Sequence, residues 1–128
     1  MYRVILVDDQ PIFRDIIRGV LQRTGRFQFI GEASDGAEAV KMYEELRPDL
    51  VIMDVQMAPV NGFEATVRIT ESNPGASVIL TSMSSDSGYD RIARQSGAIG
   101  FIPKKGLDAD SVLSLIEEPH GYYMDQAA

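Results

Sequence analysis

Asp54 closes the apolar run Leu50-Val51-Ile52-Met53, and Asp8-Asp9 closes the run Val4-Ile5-Leu6-Val7. A carboxylate at the end of a strand buried on both faces is expensive to desolvate unless a cation or hydrogen bonds compensate it. Two further runs end in polar groups of other kinds: Ser77-Val78-Ile79-Leu80 leads into Thr81-Ser82, and Phe101-Ile102-Pro103 leads into Lys104. Acid pair, acid, hydroxyl and amine together suit a divalent cation and a phosphoryl group. Carboxylates drawn into one crevice repel one another, so either they take up protons or a hard cation neutralises them. Mg2+ fits, because it prefers carboxylate and carbonyl oxygens and keeps waters that a phosphate can replace. Taken singly, each residue has a blander explanation. Asp8 and Asp9 could cap the following helix, Asp54 could start a loop, and Lys104 could be a solvated strand-end lysine like Lys105. Ser82 alone is an ordinary strand-end hydroxyl, with Thr81 as its competitor. The combination at neighbouring strand ends is what favours a site.

The elements that must position these groups follow from the apolar pattern. Short β-rich runs alternate with longer segments of helical period, which predicts βαβ units around a parallel sheet. Strands are expected over residues 3–7, 27–33, 50–54, 77–82 and 100–103. Pro11 suits the first turn of a helix carrying Ile12, Phe13, Ile16, Ile17, Val20 and Leu21 as a stripe toward the sheet. A second helix presents Ala37, Val40, Tyr43 and Leu46, with Met42 off that stripe; a third opens at Gly62 with Phe63, Val67 and Ile69. The segment 84–96 has a thin apolar face of Tyr89, Ile92 and Ala93 and is expected to be a weak helix. Residues 107–117 form the last helix, and Pro103 suits an edge strand. Five βα units of this kind fit a doubly wound α/β sheet of order 2-1-3-4-5. There, strands one and three flank the switch point where ligands bind. Met53, Met57 and Met83 read as packing, and His120 falls in a tail and is assigned nothing.

The bulk numbers bound the partners. At 128 residues the chain is one domain, and its 45% hydrophobic and 24% charged composition is that of a globular protein. A net charge of −7 argues against gripping a phosphate backbone, so no nucleic acid is expected as a partner of this domain. Without cysteine there is no disulfide framework and no thiolate metal site. No run is long enough to cross a membrane or serve as a signal peptide, so the expected location is the cytoplasm.

Val7-Asp8-Asp9, Asp54 with Met57, Pro59 and Asn61-Gly62, Thr81-Ser82, and the stretch from Gly97 to Lys104 resemble the receiver domain of bacterial response regulators. The resemblance covers about residues 2–117, and each piece is less specific than the combination. Asp8-Asp9-Gln10-Pro11 with Arg14, and Gly31 to Gly36, look most like receivers that precede a LuxR-type helix-turn-helix. The implied fold is flavodoxin-like, (βα)5, with the receiver over 1–118 and a tail or start of a linker over 119–128.

The resemblance also implies roles. Asp54 is the phosphoacceptor, its carboxylate attacking the phosphoryl group presented by a histidine kinase or phosphotransfer protein. Asp9, Asp54 and the backbone carbonyl of Gln56 bind Mg2+, with Asp8 acting mainly through water. Lys104 pairs with a phosphoryl oxygen. Ser82 closes its hydroxyl onto the phosphate, Phe101 swings with it, and the helix 4–strand 5–helix 5 face is reshaped. Such a switch is no enzyme acting on other molecules; it catalyses transfer to, and hydrolysis from, its own Asp54. Homodimerisation on phosphorylation is left open, and DNA enters only if a helix-turn-helix follows in a longer parent chain.

The sequence departs from the family pattern at three places, one being that Thr81 stands beside the switch hydroxyl Ser82 and leaves two candidates for its role. Pro59 comes one position later than the usual Met-Pro pair, and Pro103 precedes Lys104 instead of following it. The alternative reading is therefore a receiver-fold interaction module that works without phosphorylation. A flavin binder is disfavoured because Asp8 and Asp9 would repel a bare phosphate. A haloacid-dehalogenase-type phosphatase is excluded because Gln56 stands where a second aspartate is needed.

Overall fold

The computed structural model describes residues 1–84, 86 and 88–118, so the expected tail with His120 lies outside the described residues. Strand β1 (Tyr2–Val7) leads to α1 (Pro11–Gln22), β2 (Phe27–Ala33), α2 (Gly36–Leu46) and β3 (Leu50–Asp54). Then come α3 (Gly62–Ser72), β4 (Val78–Ser82), α4 (Tyr89–Ser96), β5 (Gly100–Pro103), a 3-10 turn over Lys104–Gly106, and α5 (Ala109–Glu117). All strand pairs are parallel and the order is β2-β1-β3-β4-β5. The expected doubly wound sheet is thus present, with β1 and β3 side by side at its switch point and β5 at one edge.

Both faces of the sheet are covered, which is why its strands are nearly continuous apolar runs. Alternation sends Ile5, Val7, Val51, Met53, Val78 and Leu80 into a core that also holds Tyr43, Ala65, Ile69 and Ala93 from α2, α3 and α4. Val4, Leu6, Leu50, Ile52 and Ile79 point the other way, onto Ile17 and Leu21 of α1 and Val112 of α5. Each fully buried aliphatic side chain contributes about 1.5–3 kcal/mol relative to exposure. The central strands β1 and β3 therefore form a stiff floor beneath their carboxyl ends.

Several packing expectations are corrected. Ile12 and Ile16 are 64% and 51% exposed, so the sheet-facing stripe of α1 narrows to Ile17 and Leu21, with Phe13 and Val20 half-buried. A helix lying on a sheet buries about one position per turn fully, and α1 carries more apolar residues than that face accepts. In α2 the inward face is Gly36, Ala39 and Tyr43; Met42 packs against the core whereas Ala37 is exposed. Val67 of α3 is exposed as well, its place inward taken by Ala65 and Thr66. Helix α4 begins at Tyr89 instead of Ser84. Helix α5 begins after its cap Asp108, whose carboxylate accepts from the Ser111 amide at 2.8 Å.

Candidate functional site

Strand register places the chemistry. Val7 pairs with Met53, so Asp8 stands beside Asp54 one step further along; Asp54 pairs with Thr81, and Ser82 with Pro103. Lys104 follows at once, at the start of the 3-10 turn. The predicted residues at the ends of β1, β3, β4 and β5 thus meet at one edge of the sheet.

Local structure holds each of them. The Asp8 amide donates to the Ala33 carbonyl at 3.0 Å, and its Oδ1 accepts from the Gln10 amide at 3.0 Å just ahead of α1. Part of the bland explanation is therefore true: Asp8 shapes the turn into α1, although Gln10 is the N-cap and lends no side-chain cap. Arg14 donates from Nη1 to the Asp8 carbonyl and pairs through Nε with Glu32 at 2.7 Å, tying α1 to the β1 and β2 ends. Asp54 is the last residue of β3, not a loop, and is 5% exposed. Beyond it the backbone folds back, with the Gly62 amide donating to the Val55 carbonyl at 2.9 Å. Gly62 is required by close approach: a Cβ there would lie 2.3 Å from the Asp54 carbonyl oxygen and 2.9 Å from Val55 Cα. The intervening loop contains the shifted proline, and its Ala58-Pro59 peptide bond is cis.

Asp8, Asp9 and Asp54 each offer an oxygen within 4.8 Å of the others; Asp9 is exposed and the other two are buried. Lys104 is the cation they face. Its Nζ lies 2.7 Å from Asp8 Oδ2 and 3.7 Å from Asp54 Oδ1, with the lysine side chain 7% exposed. Apart from that ammonium, Asp8 Oδ2 has no hydrogen-bond partner among the described residues. An all-oxygen acidic set holding an under-partnered buried oxygen fits a hard divalent cation. Burial pushes the Asp54 carboxyl up from the ordinary 3.8 to about 6, and the Asp8 charge adds to it. The Lys104 ammonium and a hydrogen bond from the Gln56 backbone pull the other way.

The two hydroxyl candidates differ in surroundings. Ser82 is fully buried and its Oγ accepts from the Ser84 amide at 3.1 Å. Thr81 is 1% exposed and its hydroxyl has no hydrogen-bond partner among the described residues. Strand alternation sends Thr81 toward the α1 and α5 side and Ser82 toward α4. Phe101 is half-buried, edge-to-face with Tyr89 at 5.7 Å, and Tyr89 is edge-to-face with Phe63 at 5.6 Å. Met53 and Met57 are buried as packing, but Met83 is 51% exposed at the rim, against expectation.

The sequence reading missed Phe13 as a site residue. Lys104 Nζ sits 3.7 Å from the centroid of its ring. Helical spacing assigned Phe13 to packing, and no signal within α1 pointed to a lysine at the far edge of the sheet.

Residues 4–117 match the family described as the response regulator receiver domain. The chain is 36% identical to the chemotaxis protein CheY of Listeria monocytogenes, over 92% of this chain and 98% of that one. It is 39% identical to protein-glutamate methylesterase/protein-glutamine glutaminase 3 of Anaeromyxobacter dehalogenans over 81% of this chain, but spans only 31% of that protein. A LuxR-family two-component response regulator from Aurantimonas sp. SI85-9A1 superposes with a TM-score of 0.82 at 32% identity. That match covers 91% of this chain and 83% of the solved one.

Proposed function

The chain belongs to the response regulator receiver domain family of two-component signalling, and from that premise we propose that it is a phosphoacceptor switch working on Asp54. The observation that carries the proposal is the position of the Asp54 carboxylate, on the end of a central strand with Asp8 and Asp9 around it and Lys104 3.7 Å away. An ionised Asp54 oxygen attacks phosphorus, the P–N bond of a phosphohistidine breaks, and the imidazole leaves with the electron pair. The donor is a sensor histidine kinase or phosphotransfer protein. The product is an acyl phosphate on Asp54.

Asp8, Asp9, Asp54 and the Gln56 carbonyl would hold Mg2+, which when bound supplies charge neutralisation for the transferring phosphoryl group. Lys104, beside Asp54, pairs with a phosphoryl oxygen. The Ser82 hydroxyl gives up the Ser84 amide and donates to the phosphate. Phe101 then repacks against Tyr89, which moves α4 relative to β5. Helix α4 suits that movement, because Ala93 is its one fully buried residue and little apolar contact must be surrendered. The setting proposed is the cytoplasm, where histidine kinases present their phosphohistidine.

The test is intact mass after incubation with Mg2+ and acetyl phosphate, with Asp54→Asn as control. A gain of one phosphate by the wild type alone is expected. No gain, with the protein folded and Mg2+ bound, would turn the reading to an interaction module that signals without phosphorylation.

A further inference from the structure

The backbone fixes only the base of Lys104. Its flexible four-carbon stem lets the ammonium go wherever partners hold it. Three contacts do so: Asp8 Oδ2 at 2.7 Å, Asp54 Oδ1 at 3.7 Å, and the face of the Phe13 ring at 3.7 Å from its centroid. Two of these belong to the acidic cluster. A divalent cation in that cluster draws on the same carboxylate oxygens, so the ion pairs that fix Lys104 weaken when the site is loaded. The Phe13 ring takes no part in that competition. Its negative face attracts a cation most strongly where water is excluded, and the Lys104 side chain is 7% exposed.

We propose that Phe13 is a positioning residue for Lys104: its ring face keeps the ammonium beside Asp54 once a cation has claimed Asp8, so the lysine is in place when the phosphoryl group arrives. The inference rests on the phosphoacceptor reading above. Phe13 sits in the first turn of α1, where its amide donates to the Gln10 carbonyl at 3.1 Å. The ring therefore projects from a backbone anchored to the same loop that carries Asp8 and Asp9. A leucine would fill similar space without a charged face to offer.

Three forms of the whole chain test this: Phe13→Leu, Phe13→Tyr, and a form with pentafluorophenylalanine at position 13, which keeps the ring's shape and reverses its quadrupole. Two quantities are read. The first is the ring-current shift of the Lys104 ε-protons by NMR with Mg2+ bound and no donor. The second is the initial rate of phosphate uptake from acetyl phosphate. The ε-protons should be shifted upfield in wild type and Phe13→Tyr, and those two rates should agree within about twofold. Phe13→Leu should lose the shift, and both it and the fluorinated form should lose about threefold to tenfold in rate. Unshifted ε-protons in the Mg2+-bound wild type would overturn the proposal. So would a wild-type rate in the fluorinated form, since that would show the ring acting only by its bulk. Wild type taking up no phosphate would overturn the phosphoacceptor reading and the rate role with it, a result distinct from uptake that ignores Phe13.

Discussion

Asp54 is held under opposing demands. A nucleophile must be ionised, yet burial first and the Asp8 charge second raise its pKa from 3.8 to about 6. The folded protein thus binds this proton more tightly than the unfolded chain does. The stability linked to the group is fully present below about pH 4 and is lost as pH rises through about 6. Asp54→Asn removes the buried charge. In metal-free buffer at pH 7 the variant should be more stable than wild type by on the order of 1–3 kcal/mol, the gap closing as pH falls from 6 to 4. Urea melts at several pH values in the presence of a chelator measure this, and equal midpoints at pH 7 would show that the burial is not felt. Mg2+ should oppose that order, because a cation that binds only the native state raises stability by mass action. Wild type should therefore gain melting temperature with Mg2+ and lose it again on chelation, whereas Asp54→Asn gains much less. Equal gains in both would remove Asp54 from the metal site.

The elements explain both what the sequence disclosed and what it withheld. Asp8, Asp9, Asp54 and Lys104 were legible because each ends an apolar strand, and a parallel sheet gathers strand ends at one edge. The inward faces of the helices were less so. Met42 and Ala37 exchange roles in α2, and Val67 yields to Thr66 in α3, because spacing leaves the angle at which a helix lies on its sheet undetermined. Phe13 was hidden for a related reason, since its partner is brought to it only by the order of the strands. Close approach was equally invisible. Gly62 reads as a helix opener, yet it is the residue that lets α3 start against the Asp54 carbonyl. Gly62→Ala should destabilise the protein by about 2–4 kcal/mol, since the clash is with backbone that cannot swing aside. A denaturant midpoint matching wild type would mean that α3 can shift outward freely. At the weakest element, α4, amide hydrogen exchange should be faster than in α3, because α4 fully buries only Ala93 while α3 buries Gly62, Ala65, Thr66 and Ile69.

For the molecule as a whole, the proposed reaction sets a condition on the surface. The Asp54 side chain is 7% exposed, so a phosphohistidine carried on a protein reaches it only if that protein presses against the rim of the site. The rim carries apolar residues that the core does not use. Ile16 and Met83 are each 51% exposed, and they line a groove of about 210 Å³ together with Phe13, Val20, Lys104 and Leu107. An apolar rim suits a helical donor that brings its own aliphatic side chains, whereas acetyl phosphate is too small to touch Ile16 while reacting at Asp54. The two donors therefore separate docking from chemistry. Ile16→Asp should slow transfer from an autophosphorylated histidine kinase active on the wild type by about tenfold or more, by placing a charge in a desolvated contact. Uptake from acetyl phosphate should stay within about twofold, because Ile16 stands outside the acidic cluster and lends nothing to the reacting atoms. Loss with both donors would instead mean that α1 has moved and taken Asp8 and Phe13 with it. Full transfer from the kinase would place donor docking on another face of the molecule.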